Sequence, residues 1–199
     1  MSVSLILASA SPTRRKILEA AAVPLKTLAP NVDERRIERE LLANSVKADV
    51  IAGKLAEEKA LEVSGREKHA LVLGADQVLV CEGKLFSKVQ NLGAARETLK
   101  QFRGRKHELV SAMALARNGL TEWIYVDIAE LWMRQFSDDF LDQYLELEGD
   151  DILGSVGCYR IEGRGAQLFE KVEGDQFTIR GLPLIPLLGA LRDRGVVPK

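Results

Sequence analysis

Cysteine is scarce in this chain, aromatic residues are few, and a net excess of either charge is nearly absent. Each shortage removes a class of protein. The 199 residues include two cysteines, Cys81 and Cys158, with no CxxC spacing. A disulfide framework and a zinc ribbon are both unsupported, and a reducing cytoplasm is the expected setting. His69 and His107 stand at no metal-ligand spacing either. Lys and Arg number 28 against 29 Asp and Glu, a formal net charge of −1. Bulk charge therefore does not hold the protein to DNA or to acidic membranes. The basic stretch Arg96, Lys100, Arg103, Arg105, Lys106, His107 has only Phe102 interleaved. Base stacking needs more aromatic surface than that, so the stretch reads as a solvated helix face. No run approaches the roughly 20 apolar residues of a membrane span. The GxxxxGK[ST] phosphate loop and the GxSxG nucleophile elbow are missing. So are internal repeats, low-complexity tracts and Gly/Pro/Ser-rich linkers.

What is present describes one globular domain over residues 1–199, with 46% hydrophobic and 29% charged residues. Val3–Ala8 is apolar and short, lacks a preceding basic region, and reads as a first buried strand, not a targeting signal. Ser11-Pro12 predicts a helix start, Ser at the N-cap and Pro at the first helical position. The helix should run to about Ala22, with Ile17, Leu18 and Ala21 inward. Pro24–Ala29 predicts a strand, and Glu34–Leu42 and Val46–Val63 predict helices. Ala70–Val80 predicts a central strand kinked at Gly74-Ala75-Asp76-Gln77. Glu82-Gly83 is a turn signal and Leu92–Phe102 a helix. Asn118-Gly119 between Glu108–Ala116 and Thr121–Met133 predicts a hairpin with a type I′ turn. Ser137 caps a helix through Leu147. Gly149–Gly165 predicts a loop with a short strand, Ala166–Val172 a strand, and Leu182–Arg194 a final helix. Interleaved strands and helices with one antiparallel hairpin give an α/β class with a mixed sheet.

Two segments carry chemistry on physical grounds. The first is Ser9-Ala10-Ser11-Pro12-Thr13-Arg14-Arg15-Lys16. Three cations in the first turn of a helix oppose its dipole, at about 0.3–1 kcal/mol each. A bound phosphate would reverse that sign, with free N–H groups, a hydroxyl and two guanidinium forks to hold it. The alternative is a solvated helix start. The second is Asp76, a carboxylate inside an apolar run, which must meet a cation, a metal or a cleft. A metal ligand or general base fits; a structural Asp bonded to backbone N–H groups is the alternative. Asp33-Glu34 reads as ordinary helix capping, and Lys59 and Lys88 as ordinary lysines.

The run Leu7-Ala8-Ser9-Ala10-Ser11-Pro12-Thr13-Arg14-Arg15 resembles the opening signature of the Maf family of nucleoside triphosphate pyrophosphatases. The likeness continues through Val32-Asp33-Glu34, Glu58-Lys59-Ala60 and Gly74-Ala75-Asp76-Gln77 to Gly163, Gly165 and Gly181-Leu182-Pro183-Leu184. The resemblance implies a Maf/Ham1, ITPase-like fold, a mixed twisted sheet in two lobes around a deep cleft. It implies hydrolysis of a nucleoside triphosphate to the monophosphate and pyrophosphate with Mg²⁺ or Mn²⁺, by proteins that are often homodimers. By position, Ser11, Arg14, Arg15 and Lys59 would grip the triphosphate, with Lys88 nearby. Glu34 and Asp76 would face the metal and the attacking water, Asp76 as general base.

Within the family, Thr13, Gln77 and Glu162 depart from the branch acting on dTTP and UTP. Gln77 and Glu162 resemble the branch acting on 7-methyl-GTP. A carboxylate at Glu162 can accept from guanine N1–H and the 2-amino group, and its charge suits a cationic base. Thr13 stands where that branch usually has Trp, Val89 where the family usually has Pro. Ser155-Val156-Gly157-Cys158 replaces a commoner Lys-Ala-Gly-Ala pattern. A nucleotide-binding regulator of cell division with secondary catalysis is the competing function, and a dTTP/UTP pyrophosphatase the competing specificity.

Overall fold

The computed structural model describes residues 5–199. The first two residues of the expected Val3–Ala8 strand lie outside that range; the remainder, Leu5–Ala8, forms β1. Helix α1 (Pro12–Ala20) follows, capped by the Ser11 hydroxyl, which accepts from Arg14 N, with Pro12 in its first turn. Then come β2 (Leu25–Leu28), α2 (Glu34–Ala43), α3 (Ala48–Arg66), β3 (Leu71–Cys81) and β4 (Lys84–Phe86). The second half holds α4 (Leu92–Phe102), β5 (Lys106–Arg117), β6 (Leu120–Met133), α5 (Asp138–Glu148), β7 (Phe169–Glu173), α6 (Gln176–Ile179) and α7 (Leu184–Asp193). Among the described residues no helix is long and apolar enough to cross a membrane.

The strands form a mixed sheet of order β2-β1-β3-β5-β6-β7, with β4 paired to β3. β1 pairs in parallel with β2 on one side and β3 on the other, Ala8 lying opposite both Leu28 and Gly74. β3/β4 and β6/β7 are antiparallel. The chain divides into two compact units. One comprises the chain up to Gln77, Val110–Asp127 and Asp175–Lys199; the other comprises Val78–Leu109 and Ile128–Gly174. The core of the first joins Leu5 and Leu7 of β1, Leu18 of α1, Leu73 of β3, Met113 of β5 and Leu187 of α7. The second has an aromatic centre. There the Phe102 ring stacks on His107 at 5.0 Å, and Tyr159 meets Phe169 edge-on at 4.8 Å.

The Asn-Gly hairpin forms as the spacing predicts, Asn118 and Gly119 both at positive φ (51° and 76°). Three expectations are corrected. β3 runs unbroken through Gly74–Gln77, because Gly74 provides close approach of a helix and not a kink. A Cβ there would sit 2.0 Å from Ala56 O and 2.7 Å from Ala60 N of α3. The expected short strand inside Gly149–Gly165 does not form; Gly149–Gly154 and Arg164–Leu168 are 3-10 turns, which also delays β7 to Phe169. The first helix stops at Ala20, since Ala22 takes a left-handed conformation (φ 53°). Short β4 and α6 carry too few residues for a periodic signal and escape the sequence reading.

Candidate active site

The crossover pattern selects the place. From β1 the chain passes to β2 on one side, then to β3 on the other. Open α/β sheets bind ligands at such a switch point, outside the carboxyl ends of the strands. At the carboxyl end of β1 lies Ser9–Ser11, then the N-terminus of α1. A pocket of about 270 Å³ opens there, lined by Ser9, Ala10, Ser11, Pro12, Arg15 and Thr27. No acid occupies the first turn of α1, so the dipole and the orphan N–H groups meet no negative side chain of their own helix.

The two arginines of that turn have separate surroundings. Arg15 is exposed, lines the pocket and makes only a 3.6 Å pair with Glu19. Arg14 turns toward the strands. Its Nε donates to Gly181 O (2.9 Å), and its Nη1 to Ala75 O (2.8 Å) and Ser9 Oγ (3.4 Å). Burial pulls its pKa down while Asp76 and Glu34 push it back up. Arg14 thereby ties the helix start to the strand beside Asp76.

One residue further along β3, Asp76 is 7% exposed. It answers the sequence problem of a carboxylate in an apolar run, because Lys59 meets it. Lys59 Nζ lies 2.6 Å from Asp76 Oδ1 and 2.9 Å from Glu34 Oε2. Lys59 belongs to the buried stripe Leu55, Ala56, Lys59, Ala60, Val63 of α3. The contact of Ala56 and Ala60 on Gly74 brings that stripe close enough for the ammonium to reach β3. Glu34 opens α2, where Asp33 is the cap and accepts from Arg36 N. Its carboxylate is half-exposed, unlike that of Asp76. Capping explains Asp33, therefore, and the ion pair explains Glu34.

Gln77 follows Asp76. Its amide nitrogen lies 3.0 Å from Ser111 Oγ, 3.1 Å from Thr178 O and 3.0 Å from Ile179 O. Ser111 Oγ itself donates to Thr178 O at 2.7 Å. The donor end of Gln77 thus holds α6, which leads directly to Gly181 and the Arg14 contact. Sequence reasoning includes Ser9 in its first candidate segment but misses Ser111 and Thr178 in this network. The signal for Ser111 was a hydroxyl in the otherwise apolar run Val110–Ala116. Thr13 is half-buried in the first turn of α1. The unit that holds Ser11, Thr13, Arg14, Arg15, Glu34, Lys59, Asp76 and Gln77 does not contain Lys88 or Glu162, which belong to the second.

Two carboxylates facing one cation suit a divalent ion that arrives on a substrate. Mg²⁺ is commonly held by one or two carboxylates together with substrate phosphates. Among the described residues no group of three or more His, Cys, Asp or Glu side chains forms a cage for a resident ion. A metal completed by phosphate oxygens would find its protein oxygens in Glu34 and Asp76, which now face Lys59.

A helix N-terminus, flanking cations and an ion-paired carboxylate at a switch point define an α/β protein equipped for a phosphorylated anion. The chain belongs to the Maf family; the family described as Maf-like protein matches residues 4–194. It is 47% identical over 190 residues to a protein of Granulibacter bethesdensis named nucleoside triphosphate pyrophosphatase, covering 96% of each chain. It is 45% identical over 192 residues to one of Brucella suis named 7-methyl-GTP pyrophosphatase, again 96% of each. A Rhizobium etli protein with that second name is 43% identical over 99% of each chain.

Proposed function

We propose that this protein hydrolyses a nucleoside triphosphate to the monophosphate and pyrophosphate, with 7-methyl-GTP as the preferred base class. The observation that carries the reading is the Glu34–Lys59–Asp76 cluster set beside the helix-terminus pocket. A purely binding module needs the cations and the pocket; it does not need a buried carboxylate aligned with them. The relatives' names support the reaction, and the two named 7-methyl-GTP pyrophosphatase support the base.

The triphosphate binds with its anionic chain on the α1 N–H groups, the Ser11 hydroxyl and Arg15. Arg14 keeps that turn in register with β3. A divalent cation, when bound through Glu34 and Asp76, would supply charge neutralisation and a more acidic water. Water attacks the α-phosphorus and the bond to the β-phosphate bridging oxygen breaks, releasing pyrophosphate. Asp76 takes the water's proton on Oδ2 while Oδ1 stays on Lys59. Lys59 stabilises the charge that develops as pyrophosphate leaves.

Pyrophosphate release from 7-methyl-GTP, GTP, dTTP, UTP, CTP and ATP, with Mg²⁺ or Mn²⁺, tests the proposal. The expected result is fastest turnover of 7-methyl-GTP and loss of at least about 100-fold in Asp76→Asn. A preference for dTTP or UTP keeps the reaction and overturns the base. Nucleotide binding without any turnover overturns the reaction in favour of a regulatory binder.

A further inference from the structure

Strand β5 carries one hydroxyl inside an apolar run, and the reaction as described does not use it. Ser111 stands between Val110 and Ala112 and, like the rest of the run to Ala116, is buried; its own exposure is 0%. A hydroxyl in that setting costs free energy unless it is hydrogen-bonded. Ser111 Oγ donates to Thr178 O at 2.7 Å and accepts from Gln77 Nε2 at 3.0 Å. Gln77 Nε2 also reaches Thr178 O (3.1 Å) and Ile179 O (3.0 Å). Two of its three partners are carbonyl oxygens, so this end of the side chain is the amide nitrogen and not the oxygen. An amide nitrogen carries two hydrogens, and three acceptors of the fold already stand within reach of them. The donor end of Gln77 is thus committed inside the protein.

The turn they hold is tied from other directions as well. Thr178 is fully buried, and its Oγ1 lies 2.5 Å from Asp127 Oδ2. Asp175 Oδ1 accepts from Phe177 N (2.8 Å) and Thr178 N (3.2 Å). Gly181 N closes the turn on Thr178 O at 3.0 Å. Gly181 itself takes φ 84°, the left-handed region that favours glycine. A Cβ there would stand 3.5 Å from Arg14 Nη2 and 3.6 Å from Gln77 Cδ, so the glycine lies between those two side chains. Its carbonyl accepts from Arg14 Nε at 2.9 Å. The other partners of Arg14 are Ala75 O and Ser9 Oγ, and none of the three is charged. The guanidinium therefore sits where those oxygens are held. Ala75 O belongs to the residue before Asp76, and Gly181 O is placed by the turn. Every residue of this chain of contacts belongs to the first compact unit.

We infer that Ser111 and Gln77 are positioning residues for the phosphate end of the site: together they hold the 178–181 turn, whose Gly181 carbonyl fixes the Arg14 guanidinium against the strand that carries Asp76. This rests on the proposed hydrolysis at Asp76. In this role neither residue touches phosphate, metal or base, so the loss of either slows every nucleotide alike. A displacement of about 1 Å at a reacting centre can cost 100-fold. Here one neutral contact is removed while Asp127 and Asp175 still tie the turn, so the expected loss is about tenfold.

The test compares wild type, Ser111→Ala, Gln77→Leu and Ser64→Ala as full-length proteins. Ser64 is the control, a second fully buried serine of the same unit that donates to Leu61 O (3.2 Å) and accepts from Gly119 N (3.0 Å). Two readouts are taken. One is hydrogen exchange of the Arg14 Nε–H by nitrogen-15 NMR, its signal assigned by its loss in Arg14→Lys. The other is kcat/KM for 7-methyl-GTP and for UTP. In Ser111→Ala and Gln77→Leu the Arg14 Nε–H should exchange at least about tenfold faster. Their kcat/KM should fall about tenfold for both nucleotides, with the ratio between the two held within about twofold. Ser64→Ala should move neither readout. An Arg14 signal unchanged in Ser111→Ala and Gln77→Leu overturns the inference. Faster exchange with kcat/KM no lower than in Ser64→Ala makes the turn merely structural and also overturns it. A changed ratio in Gln77→Leu means that Gln77 reads the base, and the inference falls. If wild type turns over neither nucleotide, the proposed reaction has failed and takes the inference with it, whatever the Arg14 signal shows.

Discussion

Lys59 shows why residue type alone misleads. A lone lysine on a helix is usually solvated, and nothing in Glu58-Lys59-Ala60 contradicts that. Its register does: it shares a face with Leu55, Ala56, Ala60 and Val63, all buried. A cation on that stripe requires a partner, and Asp76 is the acid in the apolar run. Each charge makes the burial of the other tolerable. Lys59→Met should therefore act twice. It leaves the Asp76 carboxylate buried without its ammonium, which costs about 3 kcal/mol or more. It also withdraws a cation from the departing pyrophosphate, lowering turnover by about 100-fold. Glu34→Gln touches the same ammonium at a half-exposed carboxylate and should cost less than about 1 kcal/mol. Urea unfolding beside pyrophosphate release separates the two effects. Equal destabilisation by both variants would contradict the buried pair as the stabilising contact.

At the level of elements, the site depends on how closely α3 approaches β3. The gap is set by Gly74, against which Ala56 O and Ala60 N already stand nearer than any Cβ tolerates. Gly74→Ala must push the helix off the strand and carry Lys59 away from Asp76. Overpacking of this kind costs about 1–3 kcal/mol, and here the obstacle is rigid backbone, so the upper end is expected. Urea unfolding should show that loss together with a fall in kcat. Full activity at reduced stability would mean that the ion pair tolerates the displacement. The same contact explains what could be read in advance. The capped start of α1, the α4 boundaries and the Asn-Gly hairpin depend on residues adjacent in sequence, and they were legible. The straightness of β3 depends on Ala56 and Ala60, far away along the chain, so Gly74 looked like a kink. The short strand expected within the Gly149–Gly165 loop is absent; Arg160 and Arg164 instead bond Glu148, a contact that no local pattern reveals. Phosphate-gripping residues were visible in the mismatch of cations with a helix dipole. Lys59 and Glu34 became site residues only through the family resemblance and then the fold.

Across the whole molecule, one buried ring should be a source of acid sensitivity. His107 packs among Phe102, Tyr159 and Phe169, with its Nδ1 buried and unpartnered. Burial pushes its pKa down from 6.5 to about 4. The unfolded chain binds a proton on this histidine below about pH 6.5, and the folded chain does so only near pH 4. Between those values the unfolded state holds more protons, so stability falls as pH falls. The contribution is complete above pH 6.5 and lost progressively from there down to about pH 4. At pH 5 the loss is about 2 kcal/mol relative to neutral pH. For a chain of this length that lowers the melting temperature by roughly 4–8 °C. The ring also supports Tyr159, whose hydroxyl lies 2.7 Å from His107 Nε2. His107→Phe removes the titration and keeps an aromatic ring against Phe102, although it leaves the Tyr159 hydroxyl without its nitrogen partner. The variant should start less stable at neutral pH and lose much less than wild type on going to pH 5. Thermal melts at pH 7.5, 6 and 5 measure both slopes. Parallel slopes would assign the acid sensitivity to the carboxylates instead of His107.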